Sequence, residues 1–323
     1  MRKFVFFGGK GGVGKTTVSC AYGLKCARAG LETLVVSTDP AHSTSDVFDQ
    51  DFGDEPLPVE GVDHLHAMEI DPDEEVENHL QETKRRMGDQ VSPAIVNQID
   101  RQIELAHQTP GAYEAALFDR FIEVMRSSDE FDRVVFDTSP TGGTLRLLAL
   151  PEFLEQWLDR LIDKRAKSID LYEKAAIGEK EARRRAENDS IIEHLRQRKE
   201  KFEFAGETLR EEAVFYLVLN PDELSIRETG RAIDSMSGHG LSVSGLVINK
   251  VTPAPDDDEQ GSGAQYLRER VATERERIEE IRSSFDSPVV ATIESRVREV
   301  KGDLLDEVAA ELDVDVGVEA PAG

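Results

Sequence analysis

The chain has 323 residues and carries 65 Asp and Glu against 39 Lys and Arg, a formal net charge of −26. That balance opposes nonspecific nucleic-acid binding, which depends on cations that neutralise phosphates, and no apolar run approaches the roughly 18 residues that span a bilayer. The length suits one large or two modest domains with ample core, and only two cysteines occur, at positions 20 and 26.

Residues 3–7 (Lys-Phe-Val-Phe-Phe) form a short apolar run suited to a buried parallel strand. Because this strand starts at once, no leader peptide is expected ahead of it. The next ten residues, Gly8-Gly9-Lys10-Gly11-Gly12-Val13-Gly14-Lys15-Thr16-Thr17, fit the phosphate-loop spacing of Gly9, four residues, then Gly14, Lys15 and Thr16. Residues 18–29 read as the helix that follows, ending at Gly30. Glycines let a backbone wrap an anion with its N–H groups inward, and a helix N-terminus adds partial positive charge there. Lys15 is placed to bridge the β- and γ-phosphates, and the Thr16 hydroxyl to ligate Mg²⁺. Lys10 is not needed for either task. Cys20 and Cys26 lie on the helix after the loop, six residues apart and so on different faces; they are expected as buried small apolar residues, not ligands.

Residues 34–38 read as a second strand, followed by Asp39-Pro40-Ala41-His42-Ser43-Thr44-Ser45-Asp46, and residues 134–136 as a third, followed by Asp137-Thr138-Ser139-Pro140-Thr141-Gly142-Gly143-Thr144-Leu145-Arg146. Both place an aspartate at the carboxyl end of a core strand, where open α/β sheets build their sites. Asp39 also stands where it can cap a helix ahead of Pro40; His42 reads as a packing or loop-orienting residue. Strands are further expected at 214–219, at 246–248 ending in Asn249, and at 288–293. Two long helical insertions interrupt the core. The first, 72–128, carries Ile95, Ile99 and Ile103 at four-residue spacing and a Thr109-Pro110 helix start. The second, 151–212, opens with the stripe Phe153, Leu154, Trp157, Leu158, Leu161 and Ile162. Residues 164–203 hold 12 Lys and Arg against 9 Asp and Glu, which reads foremost as a solvated hairpin laced with ion pairs.

The run Lys-Gly-Gly-Val-Gly-Lys-Thr-Thr resembles the deviant Walker A loop of a group of dimeric ATPases. The segments after the second and third strands resemble switch I and switch II of the arsenite-pump and tail-anchored-protein targeting ATPase family within it. The resemblance implies an α/β fold: a mostly parallel phosphate-loop NTPase sheet flanked by helices, with an inserted helical subdomain. It treats 1–323 as a single ATPase domain, with the core at about 1–71, 129–150 and 213–323 and the helical subdomain at 72–128 and 151–212. ATP and Mg²⁺ are the implied cofactors, held by residues 9–17. The resemblance gives Lys10 a reach across a homodimer interface to the partner's nucleotide, Asp39 the orientation of the attacking water, and Asp137 a water-mediated hold on Mg²⁺. Asn249 matches the family's adenine-contacting asparagine, and Asp222 an acidic position that contacts nucleotide near the dimer interface. The adenine loop is expected after residue 293.

Three functions are compatible with this resemblance. One is a nucleotide-switched dimeric targeting factor, which captures hydrophobic membrane-protein segments and delivers them to a membrane receptor. The others are the ATPase subunit of an arsenite efflux pump and a regulatory ATP switch on a partner protein. After Asn249 the chain has Thr252-Pro253-Ala254-Pro255 and an acidic run, so the zinc site that targeting members place at their dimer seam is not expected. Cys20 and Cys26 cannot build a thiolate cluster for arsenite. None of the five methionines falls between Met125 and Met236, so a methionine-lined groove is unsupported. The excess of Arg over Lys and runs such as Asp256-Asp257-Asp258-Glu259 suit a high-salt cytosol, where self-repulsion is screened; a soluble, cytoplasmic chain is expected.

Overall fold

The computed structural model describes residues 2–38, 43–71, 112–138, 159–160, 162–164, 190–314 and 316. In chain order these form β1 (Phe4–Gly9), α1 (Lys15–Arg28), β2 (Thr33–Ser37), α2 (Ser43–Phe48), β3 (Leu57–Pro58), β4 (Leu65–Glu69), α3 (Ala112–Ser127) and β5 (Arg133–Asp137). After these come α4 (Ser190–Glu211), β6 (Ala213–Leu219), α5 (Glu223–Ser237), β7 (Val243–Val251), α6 (Ser262–Ser284), β8 (Val289–Glu294) and α7 (Asp303–Glu311). The strands make one eight-stranded sheet in the order β3-β4-β2-β5-β1-β6-β7-β8. Every neighbouring pair is parallel except β3 with β4. This is the α/β architecture expected from the sequence.

Alternation along the strands explains how both faces of the sheet are covered. Val5 and Phe7 of β1 join Val135, Val218 and Val247 in one cluster with α1 and with Leu305 and Val308 of α7. The intervening Phe6 points the other way and stacks on Phe136 and Phe215, with ring centroids 4.6 and 5.1 Å apart. There Phe121 of α3 meets Phe136 edge-on at 5.2 Å. Farther along that face, Leu217, Leu219, Leu246 and Ile248 pack with Ile226 of α5 and Ile278 and Ile281 of α6.

Helix α1 crosses β2 so closely that a Cβ on Gly23 would lie 2.5 Å from Val35 Cγ2. Its one interior glycine thus serves helix–sheet contact. The helix begins at Lys15, three residues before the sequence boundary, because Gly14 adopts φ 91° and ends the loop. It stops before Gly30, whose φ of 86° suits a left-handed helix terminus. Cys20 and Cys26 are both buried, as expected.

By contacts the chain divides into two compact units, residues 1–145 with 212–323, and residues 146–211. Helix α3, from the end of the first insertion, belongs to the unit that contains the sheet. In the smaller unit α4 buries Ile192, Phe202, Ala205 and Leu209, and Lys199 pairs with Asp159 at 2.7 Å and Glu203 at 3.5 Å. Ile95, Ile99, Ile103, Thr109, Pro110 and the stripe from Phe153 to Leu161 lie outside the described residues.

Candidate active site

The loop between β1 and α1 is shaped by its glycines. Gly9 has φ 144° and runs so close to β6 that an added Cβ would stand 2.1 Å from the Val218 carbonyl oxygen. Gly12 (φ 79°) and Gly14 (φ 91°) turn the chain back toward the helix, while Val13 is buried and anchors the loop in the core. Lys10, Gly11 and Gly12 lie on the outer arc, followed by Lys15, Thr16 and Thr17 in the first turn of α1. Lys15 Nζ donates to the Lys10 carbonyl at 3.4 Å. The loop therefore gathers the first N–H groups of a helix and an ammonium in one place, the arrangement that receives polyphosphate.

The carboxyl ends of three strands converge beside it. Thr16 Oγ1 donates to Asp137 Oδ2 at 2.6 Å, although the two are 121 residues apart. Asp137 ends β5 and is buried. Ser37 Oγ at the end of β2 reaches the same carboxylate oxygen at 3.5 Å. Thr138 N and Oγ1 both donate to the Phe7 carbonyl, and Thr38 N donates to the Asp137 carbonyl. A hydroxyl and a buried carboxylate held together offer hard oxygen donors that fit Mg²⁺, which takes few protein ligands and completes its shell with phosphate and water. Asp39 and the rest of 39–42 lie outside the described residues, as do residues 139–158.

Asn249 is buried and its Nδ2 donates to the Val13 carbonyl at 2.8 Å, so β7 delivers it to the loop. A cavity of about 240 Å³ opens next to it, lined by Gly14, Thr17, Lys250, Ile293, Ser295 and Val308, among others. This places the segment after β8 beside the loop, where the adenine loop was expected. Asp222 is exposed and caps α5: its carboxylate accepts from Ser225 N at 2.9 Å and Ser225 Oγ at 2.8 Å.

Two residues of this region were not singled out in the sequence. Glu69 ends β4 and is buried. One of its carboxylate oxygens accepts from Thr44 N and Ser45 N, each at 2.9 Å, and the other accepts from Ser45 Oγ at 2.9 Å. It thus caps α2 from a neighbouring strand. The rule that pointed to Asp39 and Asp137, an acid at the carboxyl end of a core strand, also reaches Glu69 once Leu-His-Ala-Met-Glu is read as a strand. The second is Lys250, whose Nζ donates to the Gly12 carbonyl at 2.6 Å; no sequence signal indicated it.

The sequence profile of the anion-transporting ATPase family matches residues 2–313. An Aquifex aeolicus relative named among the arsenical pump-driving ATPases is 32% identical over 303 residues, covering 94% of this chain and 95% of the relative. A Neurospora crassa relative, ATPase get3, is 31% identical over 93% of this chain and 87% of its own length. A Halobacterium salinarum relative, also named an arsenical pump-driving ATPase, is 34% identical over 96% of this chain, which spans 44% of that protein. With a phosphate loop, a helix start and a hydroxyl–carboxylate pair assembled at one end of a parallel sheet, and with family similarity along nearly the whole length, the chain is an ATPase that belongs to the anion-transporting ATPase family.

Proposed function

We propose that this ATPase is a Mg²⁺-dependent, homodimeric, cytoplasmic targeting factor whose nucleotide state governs capture of hydrophobic membrane-protein segments. The observation that carries the chemical part is the 2.6 Å bond between Thr16 and Asp137, which puts two oxygen donors at the mouth of the phosphate loop. When bound there, Mg²⁺ neutralises charge on the phosphate oxygens. The chain's own groups do the rest. Loop amides at Gly9 to Thr17 and the start of α1 hold the phosphates, Lys15 leaves the Lys10 carbonyl for them, and Asn249 faces the base. Asp39 orients the attacking water, and Lys10 serves the partner subunit. Asp222, already engaged as a helix cap, contributes through the position of α5. Phosphoryl transfer depends on positioning and charge stabilisation, so this small set suffices.

The targeting reading is favoured over arsenite extrusion by the thiols. Both cysteines are fully buried. Burial pushes the Cys20 thiol well above its ordinary value and the Cys26 thiol up to about 11, so neither presents a thiolate to a metalloid. No described helix is long and apolar enough to cross a membrane, which agrees with a factor that visits membranes. The two insertions, 72–128 and 151–212, are the proposed client-binding segments. The regulatory-switch reading differs only in what the ATP-bound dimer holds.

The test is direct. Lys15→Ala abolishes ATP hydrolysis, and Asp39→Asn lowers turnover about 10²-fold or more while nucleotide still binds. Full turnover by Asp39→Asn in Mg²⁺ buffer overturns the chemical assignment. The hydrolysis-deficient dimer, loaded with ATP, crosslinks a labelled transmembrane segment; a folded, loaded dimer that captures none shifts the reading to the regulatory switch.

A further inference from the structure

The end of β7 departs from a regular strand just where it passes the phosphate loop. Ile248 pairs with Thr292 of β8, and Val251 with Glu294, so three steps along β7 match two along β8. One extra residue is accommodated as a bulge. Lys250 takes it up with φ 59°, a left-handed backbone that side chains rarely adopt. In a regular strand the adjacent Asn249 and Lys250 would point to opposite faces. Here both reach the same loop: Asn249 Nδ2 donates to the Val13 carbonyl at 2.8 Å, and Lys250 Nζ to the Gly12 carbonyl at 2.6 Å.

We propose that Lys250 is a positioning residue that braces the phosphate loop from behind, aiming its amides at the nucleotide phosphates. The reasoning rests on peptide geometry. In a trans peptide the C=O of one residue and the N–H of the next point in opposite directions. Drawing the Gly12 carbonyl toward Lys250 turns the Val13 N–H away from the brace, and drawing the Val13 carbonyl toward Asn249 does the same for the Gly14 N–H. The Val13 N–H, turned inward, donates to the Lys10 carbonyl at 3.4 Å, the oxygen that Lys15 Nζ also holds at 3.4 Å, so an entering phosphate has only that one carbonyl to displace. Donors already turned inward need little reordering when an anion binds. The strained φ at a residue that is not glycine marks the position as one where the side chain matters more than local backbone comfort. A glycine would take this bulge without strain, but would lack the ammonium.

This role rests on the reading of the loop as an ATP site, and the test separates the two. ATP, ADP and adenosine are titrated calorimetrically into the full-length parent, K250G and K250A in Mg²⁺ buffer, and all three proteins are melted. Loss of a charged donor is expected to weaken ATP and ADP about tenfold in both variants, with adenosine changed less than twofold, because the brace acts through the phosphate-facing amides. K250G melts above K250A, since glycine adopts the left-handed backbone freely, yet binds ATP no better. A merely structural lysine would tie affinity to stability and give the opposite order. ATP affinity in K250G equal to the parent's overturns the brace, and so does an equal loss for adenosine, which would place Lys250 against the base. A parent that binds no nucleotide overturns the ATP-site reading itself.

Discussion

The middle of the sheet and its margins are built differently. In the middle, β2, β5, β1 and β6 pair in unbroken register: Phe7 stands beside Asp137, and Ser37 beside the same aspartate on the other side. Every residue of β2 and β5 is buried. Toward one margin the register between β7 and β8 slips twice, and at the other the sheet closes with the two-residue antiparallel strand β3. Unbroken register gives rigid, shared strand ends, and that is where the phosphate loop and the Thr16–Asp137 pair sit. Slipped register gives irregular ends that can re-aim side chains, and that is where Asn249 and Lys250 turn toward the loop. Regular geometry is placed at the strand ends beside the phosphate loop, and irregular geometry where Asn249 and Lys250 turn toward it.

This contrast breaks most readily at Gly9. Its approach to the Val218 carbonyl is backbone against backbone, with no flexible side chain to yield. Gly9→Ala should destabilise the chain by about 4 kcal/mol or more, at the exceptional end for a single substitution, and denaturant unfolding measures it. A loss under about 1 kcal/mol would show that the centre is more pliant than its register suggests.

At the β7–β8 margin the effect should be smaller. Glu274 of α6 is buried and holds the segment after β7 through bonds from Thr252 N at 2.7 Å and Thr252 Oγ1 at 2.8 Å, while Arg270, one turn earlier on the same helix, donates Nε to it at 2.9 Å. Burial alone would raise its pKa, but the bonds from Arg270 and Thr252 outweigh burial and leave it below the ordinary carboxylate value. A depressed folded pKa stabilises above the unfolded value and is lost as pH falls through the folded one, so this contribution fades as pH drops below the ordinary glutamate value of about 4.3. Glu274→Gln should cost about 1–2 kcal/mol near neutral pH and flatten the acid limb of a melting-temperature profile. An unchanged acid limb would remove Glu274 from the margin's support.

The smallest effect is expected at the opposite margin. His64 Nδ1 lies 2.5 Å from Glu32 Oε1 at the surface, and that hydrogen bond, with the carboxylate's charge, raises the His64 pKa. A raised folded pKa stabilises below the unfolded value near 6.5 and is lost as pH rises through the folded one. Melting temperature should therefore fall slightly between pH 6 and pH 8.5, and less so in His64→Gln or at high salt, where the pair is screened. A parent and a His64→Gln variant with superimposable profiles would show that this margin is electrostatically silent.

Much of the centre was legible because its signals are local. The strand, glycine loop and helix occupy 25 consecutive residues, and the expected strands at 34–38, 134–136, 214–219 and 288–293 match β2, β5, β6 and β8 to within a residue or two. Strand β4 was not read, because His66 and Glu69 dilute its apolar run, and Glu69 was missed with it. The strand ending in Asn249 was read too short. β7 runs on through the bulge to Val251, and a period-two pattern cannot register an extra residue.

The sequence by itself determined the family, the phosphate loop with Lys15 and Thr16, the aspartate at the end of β5, and the burial of Cys20 and Cys26. Each of these is written in residue type and short-range spacing, where glycine conformation, helix starts and apolar runs act directly. Only the tertiary structure decided which groups meet. Thr16 and Asp137 are 121 residues apart, and Lys250 and Gly12 are 238 apart; parallel strands joined by helical crossovers bring such distant ends to one edge of the sheet. Whether a lysine there stays in solvent or takes hold of the loop depends on a one-residue slip in strand register, and such a slip belongs to the pairing of two strands, not to the sequence of either one.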